Sequence, residues 1–144
     1  DESLVDTILY FLNKYSLSSS DFCFEITETA AIQNLSYATR FINRLKAEGF
    51  TFALDDFGAG FSSFGYLRNL PVDYVKIDGS FVQNMDENEI SCTMVDSINS
   101  IGHVMGLKTI AEFVRSGSIR DKLVELNVDF GQGYFFAEPK PLLG

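Results

Sequence analysis

The sequence predicts an α/β fold built around a parallel sheet, and three observations support this prediction. Helical and strand patterns alternate along the chain, as they do where helices cross over between parallel strands. Ionisable residues recur directly after the apolar runs, at the edge of the sheet where (β/α) barrels keep their chemistry. Five strand patterns fit into 144 residues, whereas a closed barrel has eight strands and typically about 250 residues. The chain is therefore predicted to be either an open α/β sheet or part of a barrel.

The first two predicted elements are a helix and a strand. Ser3 can cap the helix through its hydroxyl oxygen. The apolar positions of this helix are Leu4, Val5, Ile8, Leu9, Leu12 and Tyr15. The strand follows at 22–28, where aromatic and β-branched residues are concentrated. Glu25 and Glu28 are three residues apart, so a regular strand would place them on opposite faces.

The second helix is predicted at about residues 34–48, and Gly49 stands where a C-terminal cap belongs. Its predicted buried face consists of Leu35, Ala38, Phe41, Ile42 and Leu45. The second strand is predicted at 50–54 and ends on a carboxylate, Asp55. A short helix at 62–69, which Pro71 stops, leads to the third strand.

The stretch 51–60 is the part of the sequence most typical of a functional site. It places Asp55 and Asp56 at the end of an apolar run and directly before Gly58 and Gly60. Adjacent strand residues point to opposite faces, so both carboxylates can serve one site only if the backbone turns, which glycine permits. Paired carboxylates at a strand end suit a hard divalent cation. The alternative is a strand cap followed by an acidic surface turn.

The third strand is predicted at 73–78, with Lys76 and Asp78 on one face because they are two residues apart. A short apolar turn at 81–82 precedes a long helix, for which Asp86 is the candidate cap and Glu89 its partner three positions on. The predicted buried face of this helix consists of Ile90, Met94, Ile98, Ile101 and Met105.

The remaining elements are a fourth strand, a last helix and a short fifth strand. The fourth strand, 107–112, ends on the carboxylate of Glu112. Ser116 or Ser118 can cap the last helix. Its apolar positions are Ile119, Leu123, Val124 and Leu126. The fifth strand is predicted at 128–130 and leads into Gln132.

The composition excludes several classes of function. A net charge of −9 argues against binding a DNA or RNA polymer through a basic surface. No apolar run approaches membrane-spanning length, and the chain opens without a signal-peptide pattern. Cys23 and Cys92 fit no metal-ligand spacing and are predicted to be buried free thiols, which is consistent with a reducing, cytoplasmic setting. His103 is predicted to be a helix-terminal or core histidine rather than a ligand.

Five short motifs, in this order, resemble those of the EAL-domain family of bacterial cyclic-di-GMP phosphodiesterases. They are Glu25-Ile26-Thr27-Glu28, Asp55-Asp56-Phe57-Gly58-Ala59-Gly60, Lys76-Ile77-Asp78, Ala111-Glu112 and Gln132-Gly133-Tyr134. The resemblance covers nearly the whole chain from residue 22 onward. It implies a modified (β/α)8 TIM-like barrel, with one strand antiparallel to the rest, of which this chain supplies about five strands. It also implies a hydrolase of bacterial signal transduction that opens cyclic di-GMP to linear pGpG.

The resemblance also implies a site that holds a pair of Mg²⁺ or Mn²⁺ ions. Glu25, Asp55 and Asp56 would be metal ligands, with Asp55 between the two ions. Glu112 would be either a further ligand or the base that acts on water. Two such cations neutralise an anionic phosphodiester and activate water against it.

The other roles that the resemblance implies concern the substrate and the dimer. Lys76 would hold the attacking water or a phosphate oxygen, with Asp78 nearby, and Gln132 would complete the polar wall. On the residues alone, a salt bridge between Lys76 and Asp78 is the alternative. Glu28 would anchor the loop after Asp56, which in the family also shapes a homodimer interface. Phe57, Phe61 and Phe64 are expected to serve loop packing and dimer contact.

The sequence also departs from the family pattern. The Glu-Ala-Leu motif and an Asn ligand are absent from 1–144, so we expect this chain to be the C-terminal part of a single EAL domain, with upstream sensory or GGDEF domains in the parent protein. By itself it is expected to be inactive and to associate with a second copy or with its missing portion. Arg115 stands where the family usually has an acidic residue, so it is expected to weaken metal binding or to pair with a carboxylate. A catalytically inactive cyclic-di-GMP receptor or partner-binding domain is the alternative function, and a different metal-dependent barrel hydrolase is the third.

Overall fold

The computed structural model describes residues 2–58 and 64–136, which form a five-stranded parallel sheet with helices packed on it. The strands are β1 (Cys23–Thr27), β2 (Thr51–Phe57), β3 (Tyr74–Ile77), β4 (Lys108–Ala111) and β5 (Phe130–Gly131). They lie side by side in chain order, and each neighbouring pair is parallel. β1 and β5 are the two edges, so the sheet is open. The predicted parallel sheet with five strands is confirmed.

Helices connect the strands. They are α1 (Glu2–Lys14), α2 (Glu28–Gln33), α3 (Leu35–Ala47), α4 (Gly79–Val82), α5 (Glu89–Val104) and α6 (Gly117–Glu125), and 3₁₀ turns occupy Ser19–Asp21 and Phe64–Arg68. Within the described residues, no helix has the length and the apolar composition that crossing a membrane requires. The predicted helix at 62–69 is a 3₁₀ turn in its described part.

The core lies between the sheet and the helices that cover one of its faces. Its largest fully buried side chains include Phe52, Leu54 and Phe57 of β2, Val75 and Ile77 of β3, and Ile42, Leu45, Ile98 and Ile119 of the helices. Gly102 lets α5 approach β3 closely, since a Cβ atom there would lie 3.0 Å from Val75 Cγ2. Val75 therefore faces the helices. Lys76 is the next residue along the strand, so it points to the opposite face, where the site lies.

One prediction about α5 is wrong, and another is confirmed only in part. Its cap is Asn88, whose side chain accepts a hydrogen bond from the backbone N–H of Ser91 at 3.1 Å, and the cap is not Asp86. Of the predicted buried face, Ile98 is buried and Ile101 and Met105 are partly buried against the core, but Ile90 is 77% exposed. The fully buried positions of the helix are Val95, Ile98, Asn99 and Gly102. The buried face of α5 differs from the predicted one because it includes Asn99 and Gly102, which are not among the apolar residues from which the face was predicted. Asn99 is bonded to Thr109 Oγ1 at 2.6 Å, and counting apolar residues cannot detect such a contact.

Other predictions fail at the periphery of the sheet. Glu28 does not extend β1 but begins α2, which Thr27 caps by accepting a hydrogen bond from Ala30 N at 3.1 Å. Cys23 is exposed because it starts an edge strand, which contradicts the predicted burial of both thiols. Several predicted core positions are also exposed: Leu4 of α1, Tyr15 directly after α1, Leu35 of α3 and Val124 of α6. These side chains lie beyond the reach of the sheet, and α1 itself packs mainly on α3.

Candidate functional site

The end of β2 brings two adjacent carboxylates to one place. The pairing of β2 with β3 loses its register between Leu54 and Phe57, and Asp56 adopts a left-handed backbone conformation with φ of 55°. The strand therefore stops alternating regularly at this point, and the Asp55 and Asp56 side chains converge. The predicted turn is present, but Asp56 itself makes it, and Gly58 continues it with φ of 96°.

Glu112 completes a cluster of three carboxylates. It directly follows β4, and the backbone N–H of Glu112 donates to the carbonyl of Ile77 in the neighbouring strand at 3.4 Å. One carboxylate oxygen from each of Asp55, Asp56 and Glu112 lies within 4.8 Å of the others. Carboxylate oxygens in this number and proximity are the ligands that hard divalent cations such as Mg²⁺ prefer.

Lys76 lies beside this cluster and joins it to β1. Its side chain is 7% exposed, and Nζ lies 2.8 Å from Glu25 Oε1 and 3.3 Å from Glu112 Oε1. Burial lowers the pKa of Lys76, but the hydrogen bond to Glu25 and the nearby carboxylates outweigh it, so the net shift is upward. The residue is therefore an ammonium held among carboxylates. Asp78 is not its partner, because Asp78 Oδ1 accepts from Ser80 N at 2.8 Å and caps α4.

The cluster carries more negative charge than the single ammonium of Lys76 offsets. Burial raises the pKa of Glu112 to about 7, and the hydrogen bond and charge of Asp55 add to this rise while Lys76 opposes it. Burial also raises the pKa of Asp56, together with the charges of Asp55 and Asp78. The surroundings therefore disfavour the ionised forms of these two carboxyl groups, and a bound cation would stabilise those forms.

Glu28 holds the chain just after the two aspartates. Its side chain is buried, and Oε2 accepts a hydrogen bond from the backbone N–H of Gly58 at 3.1 Å. The buried hydroxyl of Tyr66 faces this carboxylate, and burial together with the charge of Glu28 raises the pKa of Tyr66. Glu28 is therefore tied to the residue that follows the Asp56 turn. The loop that Glu28 is predicted to anchor includes residues 59–63, which lie outside the described residues.

Gln132 and the residues around it form a wall next to Glu112. The backbone N–H of Gln132 donates to Ala111 O, and its carbonyl accepts from Val114 N, both at 2.8 Å. These bonds tie the segment after β5 to the segment after β4. A cavity of about 590 Å³ opens between them, lined by Gln83, Glu112, Phe113, Arg115, Gln132, Gly133 and Tyr134.

Sequence reasoning missed Phe113 and Tyr134 as lining residues and Tyr66 as a neighbour of Glu28. Phe113 adopts a left-handed φ of 57°, a backbone conformation that apolar spacing does not predict. The Arg115 guanidinium donates to the backbone carbonyl of Gln83. Among the described residues it forms no salt bridge, so its predicted pairing with a carboxylate stays a prediction.

His103 lies in the last turn of α5 and contacts Asp129, with 2.7 Å between Nε2 and Oδ2. This confirms the prediction of a helix-terminal histidine. The Phe-rich segment is described only in part: Phe57 packs on Phe64 with 5.1 Å between ring centroids, and Phe61 lies outside the described residues.

Proteins of known sequence resemble this chain along nearly its whole length. It is 47% identical over 98% of its length to cyclic di-GMP phosphodiesterase PdeB of Shewanella oneidensis, of which it spans 16%. It is 39% identical over 96% of its length to cyclic di-GMP phosphodiesterase PdeA of Borreliella burgdorferi, of which it spans 20%. The chain thus spans only about a fifth or less of these two curated relatives.

Solved structures show the same arrangement. The phosphodiesterase PaMucR in its c-di-GMP complex superposes with a TM-score of 0.91 at 31% identity, covering 97% of this chain and 57% of that one. The FimX EAL domain from Pseudomonas aeruginosa, bound to c-di-GMP, gives 0.89 at 26% identity, covering 97% and 57%. The family described as the EAL domain matches residues 1–139. The five-stranded sheet is therefore the EAL form of the TIM-like barrel in part, and the chain belongs to the EAL-domain family.

Proposed function

We propose that the protein containing this chain is a metal-dependent phosphodiesterase that hydrolyses cyclic di-GMP to linear pGpG. The observation that supports this most is the cluster of Asp55, Asp56 and Glu112 at the carboxyl edge of the sheet, with Lys76 beside it. Two of the matched relatives carry the name cyclic di-GMP phosphodiesterase, and two matched structures contain c-di-GMP.

The donor set fits divalent metal ions, and we propose Mg²⁺ or Mn²⁺ in a two-metal site. Asp55, Asp56 and Glu112 offer hard oxygen ligands, and the raised pKa of Glu112 shows that its anionic form lacks compensation there. Glu25 is proposed as a further ligand from β1, although its carboxylate is bonded to Lys76 in this structure. When bound, the cations would supply charge neutralisation of the phosphodiester and activation of water.

The residues of the chain itself would position the substrate and move a proton. The Lys76 ammonium lies on the face of the sheet with the carboxylates and would hold a phosphate oxygen. Glu112 would be either a further metal ligand or the base that accepts a proton from water; burial raises its pKa to about 7 in the metal-free site, and a bound cation would lower it. Asp78 and Gln132 are proposed to contact the substrate from either side of this pair.

Glu28 is proposed to act as the structural anchor of the loop that follows Asp56. We further propose that residues 1–144 are the C-terminal part of one EAL domain in a cytoplasmic region of its parent protein. That protein would be a homodimer with upstream sensory or GGDEF domains, and it would not bind a DNA or RNA polymer. By itself the chain would be inactive, because further metal ligands would come from other parts of the domain.

The alternative is a receptor that binds cyclic di-GMP without cutting it. One observation favours it: Glu25, a proposed metal ligand, is engaged by Lys76 at 2.8 Å. If this ion pair persists when substrate binds, the site would have one ligand fewer.

A chromatographic assay of the intact protein distinguishes the two functions. We expect pGpG to form with Mg²⁺ or Mn²⁺ and not after chelation. Tight binding of cyclic di-GMP with no product under any metal would support the receptor and refute the phosphodiesterase.

A further inference from the structure

The backbone that follows Asp56 is held from two sides at Gly58. The backbone N–H of Gly58 donates to Glu28 Oε2 at 3.1 Å. On the other side, a Cβ atom on Gly58 would overlap the Ile98 side chain, so the backbone packs directly on α5. Phe57, between the two residues, is fully buried. Gly58 is therefore a fixed point two residues after the Asp56 carboxylate.

Glu28, which accepts the bond from Gly58, lies inside the protein. It is 4% exposed, and a carboxylate is costly to bury unless hydrogen-bond donors surround it. Its bond from the Gly58 N–H is charge-assisted, so the strength of that bond depends on Glu28 staying ionised and staying in place. A further donor to the Glu28 carboxylate would therefore also stabilise the backbone at Gly58.

Tyr66 can be that further donor. It lies in the 3₁₀ turn Phe64–Arg68, and its hydroxyl oxygen is buried, with no described residue meeting it at full hydrogen-bond geometry. Burial raises the pKa of Tyr66, and the charge and hydrogen bonding of the Glu28 carboxylate raise it further. The carboxylate is thus the acceptor that faces this hydroxyl. Because an unpaired buried hydroxyl is costly, donation to Glu28 satisfies both groups.

We propose that Tyr66 is a positioning residue for the carboxylate cluster and that it acts through Glu28. Its hydroxyl donates to the Glu28 carboxylate, and that carboxylate holds the Gly58 N–H. The turn at Asp56 is thereby kept in place. The consequence for catalysis rests on the proposed function, since the position of this turn matters to the reaction only if the cluster binds metal ions.

Hydrogen exchange in the intact, metal-free protein tests this role without any hydrolysis. Tyr66→Phe removes the hydroxyl and keeps the ring, so the fold should persist. We expect backbone exchange at 55–58 to become roughly tenfold faster, because a hydrogen bond to a charged group is lost. The matched control is Tyr74→Phe, since Tyr74 starts β3 at the opposite end of the strand, where its ring contacts Phe130. It should leave exchange at 55–58 unchanged.

A double variant separates an action through Glu28 from a general effect on packing. Glu28→Gln removes the charged acceptor and keeps the size of the side chain. When Tyr66→Phe is added to Glu28→Gln, exchange at 55–58 should change by less than about twofold, because the two residues act as one unit. An equal effect of Tyr66→Phe with and without Glu28→Gln would overturn the proposal.

Binding of Mn²⁺ to the intact protein, followed by electron paramagnetic resonance, measures the consequence for the site. We expect Tyr66→Phe to weaken Mn²⁺ binding several-fold. The line shape of the bound ion, which reports the geometry of its ligands, should change in Tyr66→Phe and not in Tyr74→Phe. A purely structural role would lower the melting temperature and leave this line shape unaltered.

The outcomes for Tyr66 and for the phosphodiesterase are distinct. Faster exchange in Tyr66→Phe that depends on Glu28, in a protein that neither binds Mn²⁺ nor hydrolyses cyclic di-GMP, would keep the role of Tyr66 and reject the proposed enzyme. Hydrolysis of cyclic di-GMP, with exchange at 55–58 and Mn²⁺ affinity both unchanged in Tyr66→Phe, would overturn the role of Tyr66 and leave the enzyme intact.

Discussion

Carboxylates lie at both the amino-terminal edge of the sheet, where its strands begin, and the carboxyl-terminal edge, where they end. Neighbouring hydrogen-bond donors and cations compensate their negative charge to different extents at the two edges. At the amino-terminal edge, Asp129 directly precedes β5. It accepts hydrogen bonds from the backbone N–H of Thr109 at 2.8 Å and from the Thr109 hydroxyl at 3.1 Å, and it contacts His103 Nε2 at 2.7 Å. Burial alone would raise the pKa of Asp129, but these hydrogen bonds outweigh it and the net shift is downward.

Asp73, directly before β3, repeats this arrangement at the same edge. Its two carboxylate oxygens accept hydrogen bonds from Lys46 Nζ at 2.7 Å and from the backbone N–H of Phe52 at 2.9 Å. Each aspartate therefore joins a strand start to a neighbouring strand and to a helix. Their charges are matched by donors within the fold.

At the carboxyl-terminal edge, in contrast, the negative charge of the carboxylates is only partly compensated. Asp55, Asp56 and Glu112 crowd together, and the pKa of Asp56 and of Glu112 is raised. In barrels of this type, residues at the amino-terminal edge serve stability and residues at the carboxyl-terminal edge serve chemistry. The contrast teaches that the state of compensation, and not the mere presence of carboxylates, separates the candidate site from the rest of the sheet.

The strongest test of this contrast is Asp55→Asn in the intact protein. The change removes a charge from the cluster and almost no volume, so the fold should persist. We expect turnover of cyclic di-GMP to fall by about a thousandfold or more, since a metal-assisted reaction loses several kcal/mol of stabilisation. Product formation is measured chromatographically and folding by circular dichroism. Near-normal turnover would remove Asp55 from the catalytic machinery.

The sequence predicted this site better than it predicted its surroundings. Spacing alone placed Asp55, Asp56 and Glu112 at strand ends, because parallel strands bring their carboxyl ends to one edge. It could not show that Lys76 pairs with Glu25 across two strands, 51 residues apart in sequence, because such contacts depend on the strand order.

Predictions from periodicity failed where tertiary contacts or edges intervened. Asn99 is polar, yet the Thr109 hydroxyl and the Leu126 carbonyl satisfy it inside the buried face of α5. Leu4 of α1 fits an apolar helical pattern, yet it is 48% exposed. Apolar spacing reports which face can be buried, and the neighbours decide whether it is buried.

The second test addresses the amino-terminal edge. Asp129→Ala leaves the backbone N–H of Thr109 without its acceptor and removes the partner of His103, so we expect the free energy of unfolding to fall by about 2 kcal/mol. Turnover per folded molecule should stay unchanged, which is the reverse of the Asp55→Asn result. Urea unfolding and the assay above measure the two quantities. A loss of turnover at full stability would mean that the two edges are not separate in function.

The third test uses pH on the metal-free protein. The pKa of Glu112 is about 7 in the folded state, above its ordinary value of 4.5, so the folded state holds a proton that the unfolded state releases. The free energy of unfolding should therefore fall as pH rises from about 4.5 to 7, by about 3 kcal/mol, and level off above that. Glu112→Gln should reduce this fall to the contribution of Asp56, whose pKa is also raised, and saturating Mn²⁺ should reverse it. A flat profile in the unmodified protein would contradict the excess charge at the carboxyl-terminal edge.

The smallest expected effect comes from comparing the two lysines that serve these edges. Lys46 and Asp73 form an ion pair in which the side chains are 32% and 30% exposed, so water screens it. Lys46→Met should lower the free energy of unfolding by no more than about 1 kcal/mol, because Asp73 keeps its hydrogen bond from Phe52. The loss should shrink further in 1 M salt, and turnover should not change.

Lys76→Met is the matched change at the other edge, where the lysine side chain is only 7% exposed and contacts two carboxylates. It should reduce turnover by at least a hundredfold and raise the pKa of Glu112 further, since the opposing positive charge is lost. Denaturation and turnover measurements on both variants decide the matter. If Lys46→Met impaired catalysis as strongly as Lys76→Met, burial and charge crowding would not distinguish a functional lysine from a structural one in this fold.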